Sequence, residues 1–216
     1  MDEALRVREF WFGRSLTGSG PGHAEMASRA QELKRRMQMW FENEPLRAQA
    51  RDELVRTGFA ALLDRAVRGE LAHWADSPRR CLSLIILLDQ FPRQIYRGTA
   101  RAFASDAQAL RYALQGMQSA ADAALNLVER LFFYMPLQHA ESLDVQDESV
   151  AASQRLVNES PPELRSSFEQ SLAYAREHRE MIRQFGRFPH RNVILGRAHT
   201  AAEAAWLKDH PERFGQ

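Results

Sequence analysis

Apolar side chains recur every three or four residues along most of the chain, a spacing typical of amphipathic α-helices. Met26, Ala30, Leu33, Met37 and Trp40 illustrate the pattern. No segment shows a convincing strand alternation. Together with the prolines and glycines, the pattern predicts eight or nine helices, over residues 5–12, 26–40, 45–69, 79–90, 105–118, 125–135, 143–157, 160–185 and 201–210.

The short connections between these segments favour an all-α fold of antiparallel helix pairs, packed as hairpins or as a short superhelix. The glycine-rich segment Gly13–Gly22 is the exception and predicts a loop. No low-complexity or charge-rich linker interrupts the pattern, so we expect residues 1–216 to form a single domain.

The stretch Arg79–Gln90 is apolar around most of its circumference, which predicts a central helix buried on most sides. Strand is the competing interpretation, but the leucines and the helical flanks favour helix. Cys81, the one cysteine of the chain, lies in this run and is expected to be a packed, unreactive thiol.

Capping patterns predict where several helices begin. They are Ser105-x-x-Gln108, Ser160-Pro161-Pro162-Glu163 and Thr200-x-x-Glu203. Gly186 is expected to end the helix that begins after Ser160, because glycine readily adopts the left-handed conformation that closes a helix.

The formal net charge of +1 gives the chain no overall field that attracts nucleic acid or a membrane surface, and neither is expected as a partner. Only two of the 29 basic residues, Lys34 and Lys208, are lysines. Two explanations for this preference are open. One is codon bias in a GC-rich genome, and the other is a need for planar guanidinium forks that bind carboxylate or phosphate. A single cysteine, Asp2 and Glu3 at the start, and no long apolar run predict a cytoplasmic protein.

Two similar segments stand out because each follows Phe-Pro with an arginine and a side-chain amide. The first contains Phe91-Pro92-Arg93-Gln94, and the second contains Phe188-Pro189-His190-Arg191-Asn192. Each Phe-Pro anchors an aromatic ring and is expected to stop a helix. We predict that both segments meet and direct their arginines into one shared hollow.

Asp89 precedes Arg93 by four residues, which places them on one helical face if the helix persists past Pro92. Two interpretations are open: an ion pair that closes the helix end, or an arginine that holds an anionic ligand and is oriented by Asp89. His178 falls on the apolar face of its long helix and is expected to point inward, either as a satisfied core histidine or as a catalytic group.

His139 and Glu141 follow a bulky apolar helix end. They fit a base and its orienting group, a pair of metal ligands, or residues that bridge neighbouring helices. The chain lacks a zinc signature such as His-Glu-x-x-His, so we predict no metal site, and no cofactor is identified.

The densest polar cluster comprises Arg187, His190, Arg191, Asn192 and Arg197. Its arginines suit the recognition of a small anionic ligand or of an acidic peptide. The alternative is a C-terminal segment held by hydrogen bonds from arginine to backbone carbonyls. Glycine-rich phosphate loops, the dinucleotide fingerprint and the Gly-x-Ser-x-Gly elbow are absent from the sequence.

These residues resemble the signature of the bacterial domain-of-unknown-function 924 family, and the likeness covers nearly the whole chain. The motifs that carry it are Leu87-Leu88-Asp89-Gln90-Phe91-Pro92-Arg93, Arg97-Gly98-Thr99, Ala102-Phe103, Asp106, Phe133-Tyr134-x-Pro136-Leu137-x-His139-x-Glu141, and Phe185-Gly186-Arg187-Phe188-Pro189-His190-Arg191-Asn192 with Leu195-Gly196-Arg197. The resemblance implies a tetratricopeptide-like, right-handed superhelix or bundle of paired helices. It implies no established activity and gives the signature residues no roles.

Three hypotheses about function follow. In the first, Asp89, Arg93, Arg187, Arg191 and Asn192 bind a small anionic ligand, and the acid–base groups are drawn from His139, Glu141, His178 and His190. In the second, the chain is a helical adaptor that binds a peptide or protein without catalysis. In the third, the two Phe-Pro segments clasp each other and only stabilise the fold. Whether the chain is an enzyme stays open, as does its oligomeric state, for which a dimer is one option.

Overall fold

The computed structural model describes residues 2–14, 23–40 and 44–210, and within these ranges the chain is helical with no strand. The helices are α1 (Glu3–Phe12), α2 (His23–Trp40), α3 (Pro45–Val67), α4 (Pro78–Asp89), α5 (Phe91–Ile95), α6 (Asp106–Gln118), α7 (Leu127–Phe133), α8 (Met135–Gln138), α9 (Leu143–Glu159), α10 (Pro162–Phe185) and α11 (Ala201–Asp209). The predicted all-α class is confirmed. Most of the predicted loop Gly13–Gly22, and the side chains of Met26 and Ala30, lie outside the described residues.

Helix α4 is the centre of the fold, as its apolar circumference predicts. Every residue from Cys81 to Asp89 is buried, and α1, α3, α6 and α7 all pack against this helix. Burial raises the pKa of the Cys81 thiol to about 11, so the sulfur stays protonated and unreactive at neutral pH.

Aromatic rings tie α1, α2 and α7 to this centre. The ring centroids of Trp40 and Phe132 lie 4.4 Å apart, and those of Trp11 and Trp40 lie 6.0 Å apart. Trp40 also donates its indole N–H to the Trp11 carbonyl at 3.0 Å, so its one polar atom is satisfied inside the core.

Two of the three predicted capping boxes are wrong. Ser105 and Ser160 stand before helices, but their hydroxyls donate to the carbonyls of Leu88 at 2.6 Å and Val157 at 2.7 Å. The Thr200 box is confirmed, with Glu203 N–H donating to Thr200 Oγ1 at 3.2 Å. A further capping box, which the sequence reading missed, begins α7 at Asn126. The hydroxyls of Ser105 and Ser160 thus take backbone acceptors of preceding helices that a local pattern does not reveal.

Helices end shortly before Pro92 and Pro136, as expected, and each of these prolines also lies in the first turn of a short new helix. Helix α4 ends at Asp89, and Pro92 lies in the first turn of α5. Pro136 likewise lies in the first turn of α8, and the helix predicted over residues 125–135 is the shorter α7, which ends at Phe133. Proline fits the first turn because its missing N–H has no intrahelical acceptor there.

A smaller apolar cluster fixes the C-terminal part of the chain. Met181, Ile182 and Phe188 are buried together, with Phe185 and Trp206 packed against them. Gly186 ends α10 in the left-handed conformation, at φ 69°, as predicted. In the described residues, no helix combines the length and apolarity that crossing a membrane requires.

Candidate functional site

A histidine and a buried aspartate form the centre of the site. Nδ1 of His139, at the end of α8, lies 2.7 Å from Oδ1 of Asp89, the last residue of α4. The Asp89 side chain is fully buried, whereas 15% of the His139 side chain reaches solvent. Nε2 of His139 makes no hydrogen bond to the described residues. Asp89 therefore fixes the ring through one nitrogen and leaves the other nitrogen available.

The charges around this pair favour an ionised Asp89 and a neutral His139. Burial raises the pKa of Asp89, but the interaction with His139 and the charge of Arg93 outweigh it and hold this pKa at about 2. Burial, and then the charge of Arg93, lower the pKa of His139. A neutral His139 donates its Nδ1–H to the carboxylate, and Nε2 is then the basic nitrogen.

Asp106, at the start of α6, joins the two predicted arginine segments. Arg93 binds its carboxylate through both terminal nitrogens at 2.9 Å. Nη1 of Arg191 approaches the same carboxylate at 3.4 Å. Arg93 also lies 3.5 Å from Asp89 and donates to the Asp89 carbonyl. The two Phe-Pro segments therefore meet, but a carboxylate of the protein lies between their guanidinium groups.

Arg191 has fewer polar partners than its charge requires. Its residue is 6% exposed, and its guanidinium lies over the rings of Phe103 and Phe188, 4.7 and 4.4 Å from their centroids. Besides Asp106, its acceptor is the carbonyl of His139 at 3.2 Å, and its buried Nε has no hydrogen-bond partner among the residues that the structure describes. Burial, and then repulsion from Arg93, lower the pKa of Arg191 to about 10.

The structure does not pair His139 with Glu141, contrary to the interpretation of these two residues as a base and its orienting group. Glu141 binds Arg197 through both oxygens, at 2.7 and 2.9 Å, and accepts the backbone N–H of Phe188 at 2.8 Å. Burial raises the pKa of Glu141, but the hydrogen bonds from Arg197 and Phe188 outweigh it and lower this pKa. Glu141 thus fixes the second Phe-Pro segment.

Arg187 and Asn192 belong to a separate network around Glu203 of α11. Arg187 binds both oxygens of Glu203 at 2.6 and 2.8 Å, and Asn192 Nδ2 donates to Oε2 at 3.3 Å. The hydrogen bond from Arg187, followed by that from the backbone of Thr200, outweighs desolvation and lowers the pKa of Glu203 to about 2. This network attaches the last helix, so these two residues do not share the hollow that was predicted for them.

His178 and His190 flank the Phe188 ring. Their ring centroids lie 5.4 and 5.5 Å from that of Phe188. His178 is half-buried rather than pointing fully inward, and its Nδ1 lies 2.8 Å from the Tyr174 carbonyl. Burial chiefly lowers the pKa of His178 to about 4 and that of His190 to about 3, so both imidazoles are neutral at pH 7.

Sequence reasoning missed Asp106, Phe103 and Glu203 as members of these networks. Asp106 and Phe103 belong to the signature motifs given above. The predicted site also contained more arginines than carboxylates, which was a signal that acidic partners were missing. The described residues contain no group of three or more histidine, cysteine or acidic side chains placed to hold a metal ion.

Comparison with known proteins agrees with the sequence resemblance. Residues 7–210 match the family described as bacterial proteins of unknown function, DUF924. The chain belongs to the DUF924 family. No curated protein matches the sequence.

A solved structure extends this agreement to three dimensions. The structure of a protein of unknown function from Agrobacterium tumefaciens is 33% identical in sequence, with a TM-score of 0.71. The match covers 87% of this chain and 99% of the other. The helical architecture described above is therefore shared by a solved protein.

Proposed function

We propose that this protein binds a small anionic ligand beside Arg191 and uses His139, oriented by Asp89, as an acid–base group. The observation that carries the proposal is the His139–Asp89 contact of 2.7 Å, combined with an Nε2 that makes no hydrogen bond to the described residues. A carboxylate that binds one nitrogen of an imidazole leaves the other nitrogen able to exchange protons with a bound molecule.

The charge state supports a role as a base. His139 is neutral at pH 7 because its pKa is lowered by burial and by Arg93. Asp89 is ionised and already lies near Arg93, so it orients the ring without forcing it to take a proton. Nε2 of His139 then accepts a proton from the ligand and returns it later in the reaction.

Arg191 supports the binding of an anion. Its guanidinium is buried, and its Nε has no partner in the described part of the chain. Asp106, which approaches Arg191, is bound more closely by Arg93. An anionic group that reaches the Arg191 guanidinium supplies the missing charge, and the hydrogen bond from Arg191 to the His139 carbonyl keeps the two residues together. Glu141, Arg187 and Asn192 act as supports in this proposal, because each is bound within the protein.

Acylation by diethyl pyrocarbonate tests the proposal, because this reagent attacks unprotonated imidazole nitrogens that solvent reaches. We expect His139 to be modified at pH 7, and millimolar phosphate or citrate to slow its modification about fivefold or more, as a bound anion covers the site. Mass spectrometry of the peptides measures the rate at each histidine. The exposed His73 is the internal control and should be unaffected by either anion.

Two variants complete the test. Arg191→Gln should abolish the protection by anions, whereas Arg111→Gln, at an exposed position of α6, should preserve it. If neither phosphate nor citrate protects His139 or raises the melting temperature of the wild-type protein, the proposal is wrong. Stabilisation by an acidic peptide alone would instead support the peptide-binding adaptor.

A further inference from the structure

A second concave surface lies between α1, α2 and α3, away from His139. It is a groove of about 750 Å³, within the range of roughly 300–1,000 Å³ that is usual for sites of small organic ligands. The described residues that line it are Arg6, Glu9, Phe10, Gly13, Arg14, Arg36, Leu54, Thr57, Gly58 and Phe59. None of them belongs to the candidate site described above.

The apolar part of the groove is a cluster of packed aromatic rings beside an exposed leucine. Phe10 and Phe59 meet with ring centroids 5.0 Å apart, and both pack against Phe91 at 6.1 and 4.8 Å. Leu54, one helical turn before Gly58, is 64% exposed beside these rings. A large exposed leucine next to an aromatic floor is the surface that an apolar ligand group would cover.

Gly58 keeps the groove open. It lies inside α3, and glycine is the poorest helix former after proline. A Cβ built at Gly58 meets no atom within 4 Å, so no close packing of the protein requires a glycine there. The space that a side chain at residue 58 would fill is the groove itself.

The charge on the groove favours an anion. Arg36 is neutralised by Glu32 at 2.8 Å, and Arg14 lies 3.3 Å from Glu9. Arg6 has no carboxylate partner among the described residues. It donates to the Gly58 carbonyl, and its guanidinium lies 4.9 Å from the centroid of the Phe59 ring. One positive charge therefore remains beside the aromatic floor.

We infer that this groove is a binding site for a small amphipathic organic anion. The ligand's ring or alkyl chain lies on Phe10 and Leu54, and its carboxylate or sulfonate pairs with Arg6, which covers the buried Phe59 ring. Binding covers apolar surface that water now contacts and gives Arg6 a charged acceptor. The site is independent of the acid–base chemistry proposed at His139.

Fluorescence titration with 1-anilinonaphthalene-8-sulfonate tests the inference, because this probe carries an aromatic body and one sulfonate. We expect saturable binding by the folded protein at one site, and competition by decanoate. Gly58→Leu, which fills the groove, and Arg6→Gln, which removes its charge, should each weaken binding about tenfold. Val67→Leu, which adds bulk to an exposed position of α3 outside the groove, and Arg111→Gln are the matched controls and should bind as wild type does.

An uncharged analogue, N-phenyl-1-naphthylamine, separates the two parts of the site. Its binding should be weakened by Gly58→Leu and unchanged by Arg6→Gln. If Gly58→Leu does not fold, as judged by circular dichroism, the binding of both probes is measured instead with Arg6→Gln and the smaller substitution Gly58→Ala. Binding of both probes within twofold of wild type in the folded groove variants would overturn the inference.

Discussion

Arg93 and Arg191, which lie in separate halves of the chain, are held together by the single carboxylate of Asp106. Arg93 binds it at 2.9 Å through both terminal nitrogens, and Arg191 approaches it at 3.4 Å. The Asp106 side chain is only 17% exposed, so its charge is poorly screened by solvent. The two Phe-Pro segments of the sequence are therefore joined through a third segment, at the start of α6.

The first prediction concerns this shared carboxylate. Asp106→Asn should destabilise the protein by about 3 kcal/mol, because it leaves two largely buried guanidinium groups with one fewer negative charge. Urea denaturation measures the change in the free energy of unfolding. Asp147→Asn is the control: the pair of Asp147 with Arg179 is at the surface, and its loss should cost less than about 1 kcal/mol. Equal effects of the two substitutions would contradict the role that we assign to Asp106.

A second prediction contrasts two glycines inside helices. A Cβ at Gly116 in α6 would meet the Phe133 ring, whereas a Cβ at Gly58 in α3 meets nothing within 4 Å. Gly116→Ala should therefore destabilise the protein by about 1–3 kcal/mol through overpacking. Gly58→Ala should stabilise it by about 0.5–1 kcal/mol through helix propensity. Thermal and urea unfolding of both variants measure these opposite signs, and destabilisation by both would refute the distinction.

The third prediction concerns acid sensitivity through His178 and His190. Burial lowers the pKa of His178 to about 4 and that of His190 to about 3 in the folded protein. In the unfolded chain, a histidine has a pKa of about 6.5, so below this pH the unfolded state binds more protons. The stabilising effect of the neutral imidazoles is thus complete above about pH 6.5 and decreases as the pH falls from there.

Unfolding free energies measured between pH 7 and pH 5 test this dependence. Each imidazole contributes at most about 1.4 kcal/mol per pH unit in this window. His190→Gln should reduce the slope, whereas His73→Gln, at an exposed position, should leave it as it is in wild type. A stability that stays constant over the window would show that these imidazoles are protonated in the folded state as readily as in the unfolded chain.

The fourth prediction concerns the attachment of α11. Glu203 caps this helix by accepting the backbone N–H of Thr200 at 2.7 Å, and it also binds Arg187. Glu203→Gln should increase hydrogen exchange throughout α11, because both the cap and the connection to Arg187 are weakened. Thr200→Ala removes only one half of the cap, costs about 1 kcal/mol in helix stability and should have a smaller effect. The amides of α4 should exchange as in wild type in both variants, and faster exchange there would argue against a local role.

Much of the helical framework was predictable because helix formation depends on nearby residues. The three- and four-residue spacing located the long helices, and the continuous apolar run identified α4 as the central one. The helix predicted over residues 125–135 does end before Pro136, but it is shorter than predicted, and the separate short helix α8 that contains Pro136 was not predicted. The tetratricopeptide-like arrangement of the helices stays a prediction.

The members of the site were only partly predictable. Asp89, Arg93, His139 and Arg191 were identified from local patterns, and the structure places them together. The expected association of His139 with Glu141 fails because Glu141 instead binds Arg197 and the backbone of Phe188. His139 and Glu141 are two residues apart and follow the end of a helix, where spacing in the sequence does not determine the direction of the side chains.

The sequence alone determined the helical class, the burial of α4 and the anchoring of both Phe-Pro rings, since these follow from periodicity, apolarity and the fixed geometry of proline. Only the tertiary structure decided which carboxylate each arginine binds, why Asp89 faces His139, and that Gly58 leaves a groove open. Pairing between distant charged side chains depends on how whole helices pack, and many pairings are compatible with the same pattern of residues. The partners of Arg191 and the open space beside Gly58 therefore follow from the packing of α3, α6 and the second Phe-Pro segment, and not from their local sequence.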